Sequence, residues 1–224
     1  MLIQAIGELL PYSVGVALSP VPIVAVILML TTPKGRANGL AFALGWVVGL
    51  SAAATIVLVV TGGSDQSGSA TADSVNWAQL AIGVLFLAMA GRQWRKRPRD
   101  GEAPELPGWM ATVDHVGPGK ALGLGILLSG LNPKNLALAA AAGAALAQAG
   151  LDVGGDVVGI ALFVVLGSVT VAGLALFAAI APRAAAAPLS SIKTFMSTHN
   201  AVIMMVILLV FGAKLVGEGV GVIG

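Results

Sequence analysis

Cysteine is absent from this 224-residue chain. Disulfides, thiolate metal sites and thiol relays are excluded with it. Charge is scarce: Asp, Glu, Lys and Arg make up 10% of the residues and leave a net charge of +2. So small a balance gives no electrostatic footprint for nucleic acid. The two histidines, His115 and His199, are isolated and in or near loops, and no role is assigned to them. Paired carboxylates are missing, as are a zinc-binding HExxH, a GxSxG elbow and a phosphate-binding P-loop. The chain is therefore expected not to be an enzyme and to hold neither metal nor cofactor. The basic n-region of a cleavable signal peptide is also lacking, since Met1 to Leu10 carry one charge, Glu8.

Apolar surface is abundant. Hydrophobic residues make up 57% of the chain and its mean hydropathy is +0.95, which places it among integral membrane proteins. A spanning helix needs about 20 apolar residues. Six segments qualify, near 5–31, 38–60, 77–94, 120–147, 153–181 and 199–217. The stretches 61–76, 92–119 and 182–198 read as connections, rich in Gly, Ser, Pro or charge. Asn38, Asp152 and Thr198 are expected helix N-caps.

The loop charges orient the segments. Lys34 and Arg36 follow the first, Arg92, Arg95, Lys96, Arg97, Arg99 and Lys120 follow the third, and Arg183 and Lys193 follow the fifth. The other loops carry only Asp65, Asp73 and Asp152. The positive-inside rule then puts all three basic loops in the cytoplasm and both termini outside.

Two apolar segments are interrupted about midway. One contains Gly15-Val-Ala-Leu-Ser19-Pro20-Val-Pro22 and the other Gly125-Ile-Leu-Leu-Ser129-Gly-Leu-Asn132-Pro133-Lys134. Proline removes a backbone donor and clashes with the preceding turn. Inside a bilayer the freed groups must be satisfied by protein or by a water-filled cavity. Such breaks at matching places in two halves point to the central site of a transporter. The expected fold is thus an all-α integral membrane protein. It has six transmembrane helices in two inverted three-helix repeats, with the first and fourth broken near the bilayer centre. Residues 1–97 form the first repeat, 98–119 the basic cytoplasmic loop and 120–224 the second repeat. The pairs Gly45 and Gly49, Gly119 and Gly123, and Gly155 and Gly159 have the small-xxx-small spacing of close helix contact.

The expected substrate site lies at the two breaks: Ser19, Pro20 and Pro22 from the first, Ser129, Asn132, Pro133, Lys134 and Asn135 from the second. Lys134 is the one cation placed deep in the membrane, where a lysine costs about 2.5–3.5 kcal/mol on insertion scales. No intramembrane carboxylate is evident to neutralise it, so it suits an anionic headgroup. Its alternative role is to bond the carbonyls freed by Pro133. Asn132 and Asn135 either coordinate a ligand or stitch the broken helix, and both serines allow the same two roles. Lys214 near the end of the last segment is expected to snorkel.

Leu18-Ser-Pro-Val-Pro-Ile-Val-Ala-Val-Ile-Leu-Met-Leu30, Asn38-Gly-Leu-Ala-Phe-x-x-Gly-Trp46 and Leu131-Asn-Pro-Lys-Asn-Leu-Ala-Leu138 together resemble the GAP family. That family includes the mycobacterial sulfolipid-1-addressing and peptidoglycolipid-addressing proteins and belongs to the LysE superfamily of six-helix exporters. The resemblance implies a multi-pass protein of a bacterial inner membrane, in an actinobacterium. Its implied task is to move a glycolipid or other anionic envelope lipid toward the cell surface, as transporter or flippase. The partners so implied are that lipid and the surrounding membrane lipids, with a homodimer or a lipid-export partner left open. Two alternatives stand beside it: a small-solute exporter of the amino-acid type, and a non-transporting scaffold that recruits lipid-export machinery through the loop 92–119.

Overall fold

The computed structural model describes residues 2–62, 77–95, 97 and 116–221. Most of the expected basic loop 98–119 lies outside these residues, as does the expected connection 61–76 apart from Thr61 and Gly62, which end α3. Among the described residues the chain forms eight helices and no strand: α1 Leu2–Ala17, α2 Pro20–Leu30, α3 Gly35–Gly62, α4 Trp77–Arg95, α5 Pro118–Gly130, α6 Pro133–Ala149, α7 Val153–Ile180 and α8 Pro182–Gly219. Three are long and apolar enough to cross a membrane: Gly35–Val60, Val153–Ile180 and Pro182–Gly219. The pair α1 and α2, bent by 52° at the break, makes a fourth if it is one span.

Local chemistry sets the helix ends. Proline occupies the first turn of α2, α5 and α6, where its missing N–H is not needed. The residue before each break proline is pushed out of the helical region. Ser19 sits at φ −95°, ψ 102° and Asn132 at φ −68°, ψ 121°. Asp152 caps α7 as expected, accepting from the Gly155 N–H at 2.8 Å. Gly150 ends α6 at φ 57°, a left-handed conformation that glycine adopts without strain.

Two expected caps are corrected. Asn38 lies inside α3, and its Nδ2 donates to Thr32 Oγ1 at 2.9 Å and to Val116 O at 2.7 Å. Thr198 lies inside α8, because 182–198 is helical rather than a linker. Pro182 opens that helix and an alanine run favours it enough to carry Pro188 inside.

The chain divides into two compact units. One holds residues 1–63 and 105–197, and the other 64–104 and 198–224, so each draws on both halves of the sequence. In the first unit α3 packs against α5, α6 and α7, α1 against α6 and α7, and α2 against α3 and α7. Its directions follow from close pairs. Gly45 meets Leu122, Gly49 meets Ile126 and Ser129, and Gly143 meets Ala54 and Leu58, so α5 and α6 run parallel to α3. Gly159 meets Leu146 and Gly167 meets Leu50 and Val16, so α7 runs antiparallel to α3.

The α3–α5 seam depends on glycine. A Cβ on Gly45 would lie 2.0 Å from Leu122 O, and one on Gly125 would lie 2.2 Å from Phe42 O. Of the expected close pairs, Gly119 and Gly123 are a correction: a Cβ at either meets nothing within 4 Å. Trp46 is fully buried in this unit and acts in packing.

The second unit is α4 with the end of α8. Leu80 meets Gly219, Gly83 meets Val216 and Leu87 meets Gly212, an antiparallel pair. Lys214 forms an ion pair with Glu218 one turn on, rather than only reaching outward. Arg97 stacks 3.5 Å over the Trp94 ring centroid.

Candidate functional site

A helix that stops inside a packed unit leaves carbonyls without their intrahelical donors. At the end of α1 these carbonyls find side chains. Gly15 O accepts from Lys134 Nζ at 2.7 Å, Val16 O from Ser19 Oγ at 2.7 Å, and Ala17 O from Thr170 Oγ1 at 2.7 Å. Lys134 Nζ donates a second bond, at 2.6 Å, to Ser19 Oγ. The break in one half of the sequence is thus closed by a residue from the break in the other.

The second break is closed mostly from within. Asn132 caps α6 by accepting from the Lys134 N–H at 3.1 Å. Asn135 Nδ2 reaches back over the break to Leu128 O at 2.9 Å, while its Oδ1 accepts from Ser19 Oγ at 3.2 Å. The Ser19 hydroxyl has one hydrogen and two acceptors, so it links Val16 O and Asn135 Oδ1 in alternation.

Of the expected residues, Ser19, Lys134 and Asn135 form one buried cluster, each 2% exposed or less. Asn132, Pro133, Pro20 and Pro22 set the helix ends that bring them together. Ser129 does not join them. Its hydroxyl bonds its own helix, at Gly125 O (2.9 Å) and Ile126 O (3.3 Å), and it packs beside Gly49. Sequence reading missed Thr170, whose apolar surroundings in α7 give no signal that its hydroxyl serves another helix. Gly15 enters the sequence reading only as part of a motif, yet its carbonyl is a backbone partner of the Lys134 amine.

The hydrogen-bond partners within the cluster are carbonyls, a hydroxyl and an amide, with no carboxylate among them. Nor do the described residues contain a group of His, Asp or Glu able to hold a metal ion. The cluster ties two helix breaks together and buries one amine among neutral oxygens.

Two cavities lie in the same unit. The larger, about 900 Å³, lies between α3, α6 and α7. Its walls are apolar, including Leu58, Val157 and Ile160, with Ser51, Thr55 and Asp156 as polar points. Asp156 Oδ1 is buried there without a hydrogen-bond partner. The smaller, about 400 Å³, lies between α2, α7 and the start of α8, with Arg36 and Lys193 in its wall. Along α7 the larger cavity reaches Val165, Thr170 follows at the break, and the smaller begins at Ala178. Val165 and Ala178 are therefore about 20 Å apart at ~1.5 Å rise per residue.

Charge in this unit is segregated in the same sense. Arg36 and Lys193 share the smaller cavity, Lys120 starts the helix that meets the same end of α3, and Arg183 lies next in sequence to Pro182 of that wall without lining it. Asp152 and Asp156 begin α7 at the other end.

A family model described as Sap, sulfolipid-1-addressing protein, matches residues 9–221. No curated protein and no solved structure matches the chain.

Proposed function

The chain belongs to the sulfolipid-1-addressing protein family, and from that membership and the site geometry we propose a transporter or flippase for an anionic envelope lipid or glycolipid. The family ties it to glycolipid addressing at membranes. The observation that carries the transport step is the joining of two interrupted helices at Lys134, between one cavity at the basic end of the unit and another at the acidic end.

The reading takes the chain as six spans in two inverted three-helix repeats. Helix directions support this. Ala17 lies at Thr170 and Ile27 and Leu30 share a cavity wall with Ala178, so α1–α2 runs with α7 and opposite to α5–α6, and α3 runs opposite to α7, as inverted repeats require. The segregated charge supports a basic, cytoplasmic end and extracytoplasmic termini in an inner membrane. A headgroup enters at the basic end and leaves at the other. Lys134 sits on that route at 1% exposure, so the α1–α6 tie must open for cargo to pass. While the tie is open an anion replaces Gly15 O and Ser19 Oγ as partner of Nζ. No bond of the cargo is made or broken. The chain has no nucleotide-binding motif, so active transport by it needs a gradient or a partner protein.

Lys134→Met is the test, in proteoliposomes carrying a labelled anionic glycolipid. The variant should insert and fold yet lose transport at least tenfold, while Lys134→Arg should keep part of it because charge survives and geometry changes. Transport by Lys134→Met at the parent rate refutes the role given to Lys134.

A further inference from the structure

The smaller cavity has the composition of a lipid-headgroup site. Its wall combines Ile27, Leu30, Ala178 and Leu189 with two cations, Arg36 and Lys193, and contains no acidic residue. Among the described residues neither cation has a hydrogen bond or an ion pair with protein. Two unpaired cations from different helices, α3 and α8, beside an apolar wall are complementary to an anion that carries a hydrocarbon chain. At about 400 Å³ the space takes a headgroup and the first methylenes of a chain, not a whole lipid.

We propose that this cavity between α2, α7 and α8 binds the anionic headgroup of a membrane lipid. Arg36 and Lys193 hold the phosphate or sulfate, and Ile27, Leu30 and Leu189 receive the start of the acyl chain. Arginine offers a planar fork to the oxyanion and lysine a point charge. That the site is the point of loading rests on the transport reading; that it binds lipid does not.

The test uses the full-length protein, delipidated in a neutral detergent and titrated with short-chain phosphatidylglycerol or phosphatidylcholine. The parent should prefer phosphatidylglycerol. At about fivefold per cation near a membrane surface, the double variant Arg36→Gln with Lys193→Gln should bind it about twenty-fivefold more weakly. Exchanging the two cations, Arg36→Lys with Lys193→Arg, should retain most of the binding. Lys120→Gln with Arg183→Gln removes the same charge outside the cavity wall and should leave binding within about twofold of the parent. Ala178→Trp fills the cavity without touching charge and should abolish the preference. Equal weakening by the two glutamine pairs, or unchanged binding by Ala178→Trp, overturns the proposal in favour of general surface attraction. Competition by glycerol phosphate as strong as by the lipid also overturns it, because the apolar wall would then be idle. If binding behaves as expected while no variant affects transport, the site stands and the transport reading falls.

Discussion

Gly45→Ala probes the seam on which the site is built. Its Cβ would sit 2.0 Å from Leu122 O and 2.9 Å from Leu122 C, both backbone atoms that cannot rotate away. Ordinary contact begins near 3.4 Å, so α3 and α5 must part by up to about 1.4 Å. The loss is not local. The same approach sets Gly49 against Ile126 and Ser129, and Gly125 against Phe42 and Trp46. A gap of about 0.5–1 Å already forfeits a quarter to a half of the dispersion attraction of the atoms involved. Overpacking in a dense interior typically costs ~1–3 kcal/mol. With several backbone approaches disturbed together, Gly45→Ala belongs at the upper end, about 3 kcal/mol. Gly123→Ala is the matched control, on the same helix as Leu122 but with nothing within 4 Å of its Cβ. Thermal unfolding in one detergent should show Gly45→Ala several degrees below the parent and Gly123→Ala within a degree or two. Equal behaviour of the two variants would falsify the seam.

Three further outcomes follow from the same geometry. Thr170→Val keeps the shape and removes the 2.7 Å bond to Ala17 O, so it should cost about 1 kcal/mol in thermal unfolding while Thr170→Ser costs less. Asn38→Leu removes the links to Thr32 and Val116 and leaves a part-buried carbonyl short of a donor; a loss of ~1–2 kcal/mol is expected, and none would show that the contact is idle. Cysteines introduced at Ser64 and Ser190 should label from opposite faces of sealed cells with an impermeant reagent, and labelling of both from one face rejects the six-span topology.

What was legible in the sequence is what local chemistry controls. Pro20 and Pro133 dictate an extended residue before them, and helices end at Ala17 and Gly130 as a consequence. Lys134 stood out because a lysine amid apolar residues needs a partner. Which partner it has was not legible. A backbone carbonyl looks the same at every position, and Gly15 O becomes special only when α1 and α6 are packed together. Thr170 and Ser129 show the limit from two sides. Each is a hydroxyl on an apolar helix; one bonds another helix and the other its own preceding turn, as a helical serine can wherever it lies. The glycine spacings failed for a related reason. Small-xxx-small marks a face able to approach closely, but only tertiary placement decides that Gly45 and Gly49 do so while Gly119 and Gly123 face open space. Composition misled at 182–198, where Pro and Ser suggested a linker and the alanines made a helix.

The energetics of Lys134 give that residue its meaning. Burying a lysine in a membrane helix costs about 3 kcal/mol on insertion scales. Its two short bonds, at 2.7 and 2.6 Å, each return roughly 1.5–3 kcal/mol if the group is charged. Together the bonds return about 3–6 kcal/mol against that cost, so the amine adds at most about 3 kcal/mol of net stability to the closed cluster. A methionine of similar length escapes the burial cost and loses the same bonds. It leaves Gly15 O short of a donor, while Ser19 retains Val16 O and Asn135. The unfolding temperature of Lys134→Met should therefore lie within a few degrees of the parent. A large drop in stability would make Lys134 a structural tie and account for any loss of transport by itself. A small drop joined to lost transport leaves one use for a buried amine with neutral partners, which is to exchange those partners for an anion as the tie opens.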